Sequence, residues 1–306
     1  MMAGRSLAVA AAPLLAAALA LAVPSTPTTP AAGGYAAEIQ KWREQREARL
    51  KANGGWLTVA GLYWLKDGEN RFGADPSCEV VLPPGSAPAV AGVIVFHDGK
   101  TTVKVEPGVT VTAGGKPVAT MDLKDESTGS PDVLTLGPLM MHVIKRGDRY
   151  AIRLKDMNSR FRKEFTGLHW FPIKESYRVT ARWEPHDPPR QIAVPTILGT
   201  TEMMPSPGRA VFTINGQELK LDPVLEEPDS TELFIIFKDL TSGKETYPAG
   251  RFLYAETPTD GVLVLDFNKA YNPPCAFTPY ATCPLPPEQN RLPVRIDAGE
   301  QNYGQH

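Results

Sequence analysis

The sequence lacks the features by which several large classes of protein are recognised. Its 306 residues include 32 Lys and Arg against 34 Asp and Glu, which leaves a net charge of −2. This balance excludes the basic surplus typical of nucleic-acid-binding proteins, and no run of like charge indicates attachment to an anionic membrane surface. The motifs Gly-x-Ser-x-Gly, His-Glu-x-x-His and Gly-x-Gly-x-x-Gly are all absent. The common signatures of serine hydrolases, zinc metalloproteases and dinucleotide-binding enzymes are therefore missing, and no cofactor is predicted.

Cysteine is scarce, whereas proline and glycine are abundant. The chain has 3 cysteines, 30 prolines and 26 glycines, and the prolines and glycines are spread along it. Proline this frequent argues against helical repeats, because it breaks helix interiors. The 42% apolar content is sufficient for one large domain or two ordinary domains with hydrophobic cores.

The N-terminus has the pattern of an export signal. Arg5 precedes an Ala/Leu-rich run from Leu7 to Val23, and Ala20-Leu21-Ala22 fits a cleavage site with small residues. We therefore assign residues 1–35 to a signal peptide and linker, and expect a periplasmic or secreted protein. The run is shorter than the roughly 20 apolar residues of a membrane span, so no integral membrane segment is expected after cleavage. An uncleaved anchor is the alternative.

After the linker, the pattern predicts one helix and then strands. Residues 36–55 carry an apolar stripe at helical spacing, and Asn53-Gly54-Gly55 supplies the stop. From Trp56 onward, short apolar runs alternate with turn signals, which is typical of antiparallel β structure. The predicted fold is mainly β, with an N-terminal helix, a first β-sandwich over residues 56–155 and a second β-sandwich or barrel over residues 156–306.

The first β domain resembles a forkhead-associated sandwich. The resemblance is carried by Leu65–Gly73, by the strand that leads into Leu82-Pro83, and by Leu134–Gly137. However, Ala74 stands where those domains carry an arginine, and their Ser-x-x-His signature is missing. The resemblance therefore implies the architecture, and we expect no binding of phosphothreonine peptides, because the guanidinium that would hold the phosphate is absent.

A long loop in the second half carries the densest chemistry. The apolar run Val262–Leu265 leads into Asp266-Phe267-Asn268, and the loop that follows contains six prolines and two cysteines before Leu292. Long ordered loops are usually functional. Phe267 is expected in the core. Asp266 and Asn268 are expected to face the loop, where they would accept from its N–H groups or from Arg251.

Several motifs resemble the DUF1684 family of bacterial and archaeal proteins. They are F-x-D-x-T-S-G-x-x-T-Y, G-R-F-L, D-F-N-x-A-Y-N-P-P-C-A-F, C-P-L-P-P-x-x-N-R-L and A-G-E, with W-R-x-x-R and G-L-Y-W-L-x-x-G-x-N-x-F-G near the N-terminus. The resemblance covers about residues 40–300. It implies no activity, since that family is named for having no assigned function.

The main functional hypothesis is a module that binds a small polar or anionic ligand in the second β domain. An arginine could hold an anion, and the loop would form the wall of the site. The ligand-binding candidates are Arg251, Asn268, Tyr271, Asn272 and Asn290. The basic segment 145–175 is an additional candidate for an anion-attracting rim, although a solvated face between the domains explains it as well.

Two other functions remain open. A hydrolase would use the carboxylates that end apolar segments near the loop, because paired carboxylates can divide acid and base chemistry when their pKa values differ. These catalytic candidates are Asp239, Asp266 and Glu300. The third hypothesis is a structural envelope protein without a site. The sequence does not predict the oligomeric state.

The two loop cysteines allow three interpretations. Cys275 and Cys283 are eight residues apart, and in an exported chain a disulfide would close the loop. Two reduced thiols, or a metal site completed by Asp266 or Glu300, are the alternatives. Cys78 lies before a strand and is expected to be a lone buried thiol.

Overall fold

The computed structural model describes Met1 and residues 32–304. Nearly all of the predicted signal sequence and linker lies outside the described residues. The described chain is mainly β with one long helix at its N-terminal end, and this confirms the predicted fold class. No helix in the described part combines the length and the apolar character that a membrane crossing requires.

The N-terminal helix α1 spans Ala32–Lys51. Tyr35, Ile39, Arg43, Arg46 and Leu50 are its buried residues, and their spacing of three or four places them on one face. That face packs on the protein, the half-buried Trp42 and Glu47 contact Trp170 and Leu168 at its border, and most other positions are exposed. The helix ends before Gly54, which has a φ of 77° that only glycine adopts easily.

The first β unit is a sandwich of two sheets. One sheet has the strand order β1-β11-β10-β9-β6-β7, and the other has the order β3-β2-β4-β5-β8. Every pairing is antiparallel except that of β2 with β3. The strands are β1 (Val59–Trp64), β2 (Gly68–Gly73), β3 (Val80–Val81), β4 (Gly92–His97), β5 (Lys100–Val105), β6 (Thr112–Ala113), β7 (Lys116–Pro117), β8 (Thr120–Leu123), β9 (Leu134–Leu136), β10 (Leu139–Arg146) and β11 (Arg149–Asp156).

Alternation along β10 and β11 separates an apolar face from a basic one. Leu139, Met141 and Val143 point into the core between the sheets, together with Ile152 and Leu154. Because successive strand residues point to opposite faces, the intervening basic side chains of β10 and β11 lie on the outer face of the sandwich. That outer face is turned toward the second β unit.

A short helix, α2 (Arg160–Lys163), and an irregular segment join the two units. The second unit has a four-stranded sheet with the order β14-β13-β12-β17 and a separate pair, β15-β16. Its strands are β12 (Arg178–Pro195), β13 (Thr201–Ile214), β14 (Gln217–Leu221), β15 (Glu232–Phe237), β16 (Arg251–Glu256) and β17 (Val262–Asp266).

The β15-β16 pair is apolar on both faces. One face, which includes Ile235, Phe237 and Leu253, joins the main core of the second unit. The opposite face carries Phe234 and Phe252 and packs against a smaller cluster that contains the two loop cysteines. The run of apolar residues in β15 is continuous for this reason, since a strand covered on both sides has no polar face.

Candidate functional site

Arg251, one of the predicted ligand-binding residues, is buried and forms its hydrogen bonds within the protein. It is 1% exposed. Its Nη2 donates to Ile296 O at 3.0 Å and to Asp239 Oδ1 at 3.3 Å, and its Nη1 donates to Ala298 O. Asp239 also accepts from Ile296 N at 2.7 Å. Arg251 and Asp239 therefore hold the C-terminal segment against the strand pair. Arg251 Nε has no hydrogen-bond partner, but Arg251 does not line the large cleft described below.

Asp266 and Asn268 belong to a second buried cluster of hydrogen-bonded side chains, although their partners differ from those expected. Asp266 accepts from Tyr35 Oη at 2.8 Å, and Asn268 Nδ2 donates to Tyr35 Oη at 2.9 Å and to Lys174 O at 2.8 Å. The expected bonds to Arg251 or to the loop are absent from the described contacts. Phe267 is fully buried, as predicted. These hydrogen bonds hold helix α1 against the end of β17.

Two further ligand-binding candidates, Asn290 and Asn272, also form hydrogen bonds that hold the loop in place. Asn290 accepts from Asp222 N at 2.8 Å and donates to Asp222 O at 3.0 Å and Ile236 O at 3.1 Å. Asn272 Nδ2 donates to Gln301 O at 2.8 Å. The Asn290 side chain joins the loop to two other backbone segments and the Asn272 side chain joins it to one, so both hold the loop in place.

Glu300 is fully buried and is paired with an arginine of helix α1. Its Oε1 accepts from Arg46 Nε at 2.8 Å and its Oε2 accepts from Asn272 N at 2.8 Å. Burial raises the pKa of Glu300, and Arg46 opposes that shift. The preceding Gly299 has a φ of 81°, and a Cβ there would lie 2.5 Å from Ala270 O, so only glycine allows this approach.

The three predicted catalytic carboxylates are therefore engaged in separate buried clusters. Asp239 pairs with Arg251, Glu300 pairs with Arg46, and Asp266 bonds to a tyrosine. Among the three, Asp266 alone borders the large cleft described next. A common catalytic role for them stays a prediction, and the contacts favour a structural role for Asp239 and Glu300.

A cleft of roughly 1080 Å³ opens where helix α1, the outer face of β10-β11 and the β15–β17 region of the second unit meet. We call it the interdomain cleft. Pockets at domain junctions are frequent ligand sites. This volume lies slightly above the range of about 300–1,000 Å³ that is typical of small-molecule sites. Tyr271 is the one predicted ligand-binding residue that lines it.

One wall of the interdomain cleft is aromatic. The rings of Tyr254 and Tyr271 are stacked, with centroids 6.2 Å apart and planes at 17°, and Tyr254 also stacks on Phe234 at 5.0 Å. Phe252 meets Tyr271 edge to face at 5.8 Å. Cross-strand neighbours on β15 and β16 produce this arrangement, because Phe234 and Tyr254 are register partners. The wall offers flat apolar surface to a planar or apolar group.

The opposite wall of the cleft is basic and comes from the first unit. Arg153 of β11 lies within it, with its side chain 6% exposed. Its Nη2 donates to Thr282 Oγ1 at 3.3 Å, and its guanidinium lies over Trp56, 5.2 Å from the ring centroid. Its Nε has no hydrogen-bond partner. Burial lowers the pKa of Arg153 to about 10, so the group remains cationic at neutral pH.

Arg146 of β10 completes the basic wall. Its Nε donates to Thr282 Oγ1 at 2.8 Å, and its Nη1 pairs with Glu126. Glu126 lies 3.9 Å from Arg153 Nη1, so one carboxylate is shared between two guanidinium groups. The local balance is therefore positive, and an additional anion would be attracted to this wall.

Thr282 presents a second donor at the same place. Both arginines donate to its oxygen, because a guanidinium has no acceptor. The single hydroxyl hydrogen of Thr282 is consequently left to donate, and no acceptor for it is found among the described residues. Arg153 Nε and the Thr282 hydroxyl are thus two buried donors on one cleft wall without acceptors, an arrangement that suits a carboxylate or phosphate oxygen.

The two loop cysteines are free thiols in the structure, so the disulfide interpretation is not realised there. Both are buried, and Cys275 N donates to Cys283 Sγ at 3.2 Å. Among the described residues, no group of three or more His, Cys, Asp or Glu side chains could hold a metal ion. Cys78 is a separate buried thiol in the first unit, as expected.

Sequence reasoning missed Tyr254 and Thr282 and did not single out Arg153 within the basic segment 145–175. The strand alternation carries a usable signal, because Arg153 lies between Ile152 and Leu154 and must face away from the core that they enter. Nothing local in the sequence shows that this outer face meets Thr282, 129 residues further along the chain.

Comparison with known proteins gives one relative and several weaker likenesses. An uncharacterised protein of Haloarcula marismortui, solved by solution NMR, is 32% identical, covers 47% of this chain and 81% of its own, and has a TM-score of 0.40. The FhaA FHA domain, solved in complex with the intracellular domain of Rv3910, is 17% identical over 31% of this chain and 97% of its own, with a TM-score of 0.23. EmbR of Mycobacterium tuberculosis, in complex with a low-affinity phosphopeptide, is 14% identical over 42% of this chain and 32% of its own, with a TM-score of 0.21. No curated protein matches the chain.

The family assignment rests on the second unit. The family described as "Protein of unknown function (DUF1684)" matches residues 163–301. This range includes β12 to β17 and the whole of the loop with its two cysteines. The buried clusters around Arg251, Asp266 and Glu300 lie in the same range. The motifs quoted from the sequence lie largely in the matched range, and the chain belongs to the DUF1684 family.

Proposed function

We propose that the protein binds a small anionic molecule in the interdomain cleft. The acidic group of the ligand would accept hydrogen bonds from Arg153 Nε and the Thr282 hydroxyl, and an apolar or planar part would lie against Tyr254 and Tyr271. The observation that carries the proposal is the buried Arg153 Nε, which has no partner in the cleft wall. A buried donor without an acceptor is costly, and a bound anion would satisfy it.

The other two functions have less support. Of the proposed hydrolase residues, Asp239 and Glu300 are buried in ion pairs and are absent from the cleft lining. A structural protein without a site would not require an unpaired cationic donor on a cleft wall opposite an aromatic one. Export remains part of the proposal because of the N-terminal pattern of residues 1–35, and cell fractionation with mass spectrometry of the mature N-terminus tests it.

The binding proposal is tested with ligands that differ only in charge. Benzoate and phenyl phosphate are titrated against the purified protein by calorimetry, and benzamide serves as the neutral counterpart. Trp56 lies beside Arg153, so its fluorescence provides a second readout. The proposal predicts that at least one anion binds and that the amide binds more weakly. Binding should weaken as salt is added, because the attraction is partly electrostatic.

Matched substitutions locate the site. Arg153→Met and Thr282→Val each remove one donor, and a hydrogen bond to a charged group contributes about 1.5–3 kcal/mol, so each should weaken anion binding roughly 10- to 100-fold. Arg149→Met is the control, since Arg149 is on the same strand but exposed and stacked on Trp64 at 3.7 Å. Equal affinity of all three variants for the anions, with intact circular dichroism, would refute the proposed site.

A further inference from the structure

The two loop cysteines lie close enough to react with each other. Cys283 Sγ accepts from Cys275 N at 3.2 Å. An N–Cα bond is about 1.46 Å long, so this sulfur lies within about 4.7 Å of the Cα atom of Cys275. Disulfides require Cα atoms about 4.4–6.8 Å apart, and a sulfur this near to the opposite Cα allows that separation. The observed contact is therefore compatible with the geometry of a disulfide between Cys275 and Cys283.

The surrounding structure holds the backbone of both cysteines while leaving their sulfurs adjacent. Tyr247 Oη donates to Cys275 O at 3.1 Å, and Ile197 N donates to Cys283 O at 3.0 Å. Prolines 273, 274, 279 and 284 restrict the segment further. A pair of thiols on so rigid a frame meets repeatedly, which raises the rate of disulfide formation between them relative to a flexible chain.

The environment also favours a thiolate on one cysteine. A hydrogen bond from Cys283 lowers the pKa of Cys275, and the same hydrogen bond raises the pKa of Cys283. The two groups consequently share one proton more easily than two separate thiols would. Cys283 lines the interdomain cleft beside Arg153, so one sulfur of the pair borders this cleft.

We propose that Cys275 and Cys283 form a redox-active dithiol that exchanges with low-molecular-weight disulfides. The Cys275 thiolate attacks one sulfur of the small disulfide, a mixed disulfide forms, and the first small thiolate leaves and takes up a proton. Cys283 loses its proton to solvent in the cleft and attacks the Cys275 sulfur, which releases the second small thiol. The protein loses two electrons and two protons, and the small disulfide gains both.

This redox site would also affect the cleft. Thr282, which accepts from Arg146 and Arg153, directly precedes Cys283, so oxidation would replace the Cys283 thiol by a disulfide sulfur beside the basic wall. This link to anion binding rests on the proposed function. The disulfide exchange itself does not, because it can be measured without any ligand of the cleft.

The test uses purified full-length protein, equilibrated in buffers with graded ratios of reduced and oxidised glutathione. The samples are denatured in acid, alkylated and analysed by mass spectrometry, so buried thiols are counted as well. We expect a reversible loss of about 2 Da, two hydrogen atoms, assigned to the Cys275–Cys283 peptide pair. Cys78 should be alkylated throughout. The Cys78→Ser variant should behave in the same way as the original chain.

The single variants fix the order of the two steps. Cys283→Ser should stop at a mixed disulfide of glutathione on Cys275, whereas Cys275→Ser should acquire little glutathione. Two free, alkylated loop cysteines in the natively folded wild-type chain at every glutathione ratio would overturn the proposal. The exposed Arg149→Met variant should keep the exchange unchanged. Because the exchange is scored by mass and anion binding by calorimetry, a failure of the redox site is separated from a failure of the anion site.

Discussion

Replacing Arg46 with methionine tests whether the Glu300 cluster is structural. Arg46 is 8% exposed, donates to Glu300 and to Asn272 O at 3.0 Å, and lies over the Tyr271 ring at 4.6 Å. Arg46→Met keeps most of the side-chain volume but leaves the buried carboxylate of Glu300 without its cation. Breaking a buried ion pair from one side costs about 3–5 kcal/mol.

The effect can be measured by thermal unfolding. A loss of 1 kcal/mol lowers Tm by roughly 2–4 °C in a domain of about 150–250 residues, so Arg46→Met should lower Tm by roughly 6–20 °C. Arg49→Met is the matched control. Arg49 is on the same helix and borders the same cleft, but it is exposed, so its replacement should change stability by less than about 0.5 kcal/mol.

The pH dependence of the stability of Arg46→Met tests the role of the Arg46–Glu300 pair independently. Burial raises the pKa of Glu300 already, and removing Arg46 raises it further above the unfolded value of about 4.3. A folded-state pKa that is raised adds stability below the unfolded pKa, and this stability is lost as pH rises through the folded-state pKa. The penalty of Arg46→Met should therefore be larger at about pH 7 than at about pH 4.

The double variant Arg46→Met, Glu300→Gln removes the titrating group as well. It should unfold with little of the added pH dependence and should recover part of the lost stability, since no charge is left buried. The reasoning is refuted if Arg46→Met unfolds at the temperature of Arg49→Met at both pH values. In that case the Arg46–Glu300 contact contributes nothing measurable, and a catalytic role for Glu300 would have to be reconsidered.

Three further predictions concern other buried groups. Burial lowers the pKa of His142 from 6.5 to about 4, so its contribution to stability is present above the unfolded pKa and is lost as pH falls toward 4. His142→Gln should remove about 3 kcal/mol of that pH dependence in urea titrations at different pH values. Asn290→Ala leaves one backbone N–H and two carbonyl groups unpaired and should lower the free energy of unfolding by about 3 kcal/mol in urea titrations, against less than about 0.5 kcal/mol for exposed Gln289→Ala. Gly299→Ala should destabilise by more than about 1 kcal/mol in the same titrations, because its Cβ would meet carbonyl oxygens and its φ is 81°.

The sequence predicted the fold class because strand alternation and turn residues are local signals. The helix stripe at Ile39 and Leu50 and the change to short apolar runs after Trp56 are visible without tertiary information. The burial of Phe267 was predicted from the same kind of pattern. The periodicity of the sequence predicts that the chain is mainly β, but it does not predict which strands pair.

The partners of the polar residues could not be predicted, because they come from distant parts of the chain. Asp266 bonds to Tyr35, 231 residues away, and Glu300 bonds to Arg46, 254 residues away. The sequence showed that polar groups lie beside a buried loop and must be satisfied. It did not show whether a ligand or helix α1 satisfies them, and the structure assigns them to the helix.

Arg46 and Arg153 show how the two kinds of residue can be separated. Both are buried arginines that line the interdomain cleft, and both lie near an aromatic ring. Arg46 donates from its Nε to the Glu300 carboxylate and from its Nη2 to a backbone carbonyl. These hydrogen bonds within the protein offset the free-energy cost of burying its charge. Arg153 keeps its Nε unpaired and shares one carboxylate with Arg146. A fold has no reason of its own to maintain that arrangement, because apolar side chains of similar volume would be as stable there. Arg43 and Arg251 also keep an unpaired Nε, but neither lines the cleft. Arg153 both lines the cleft and has incomplete hydrogen bonds, and a ligand is therefore inferred at Arg153 and not at Arg46.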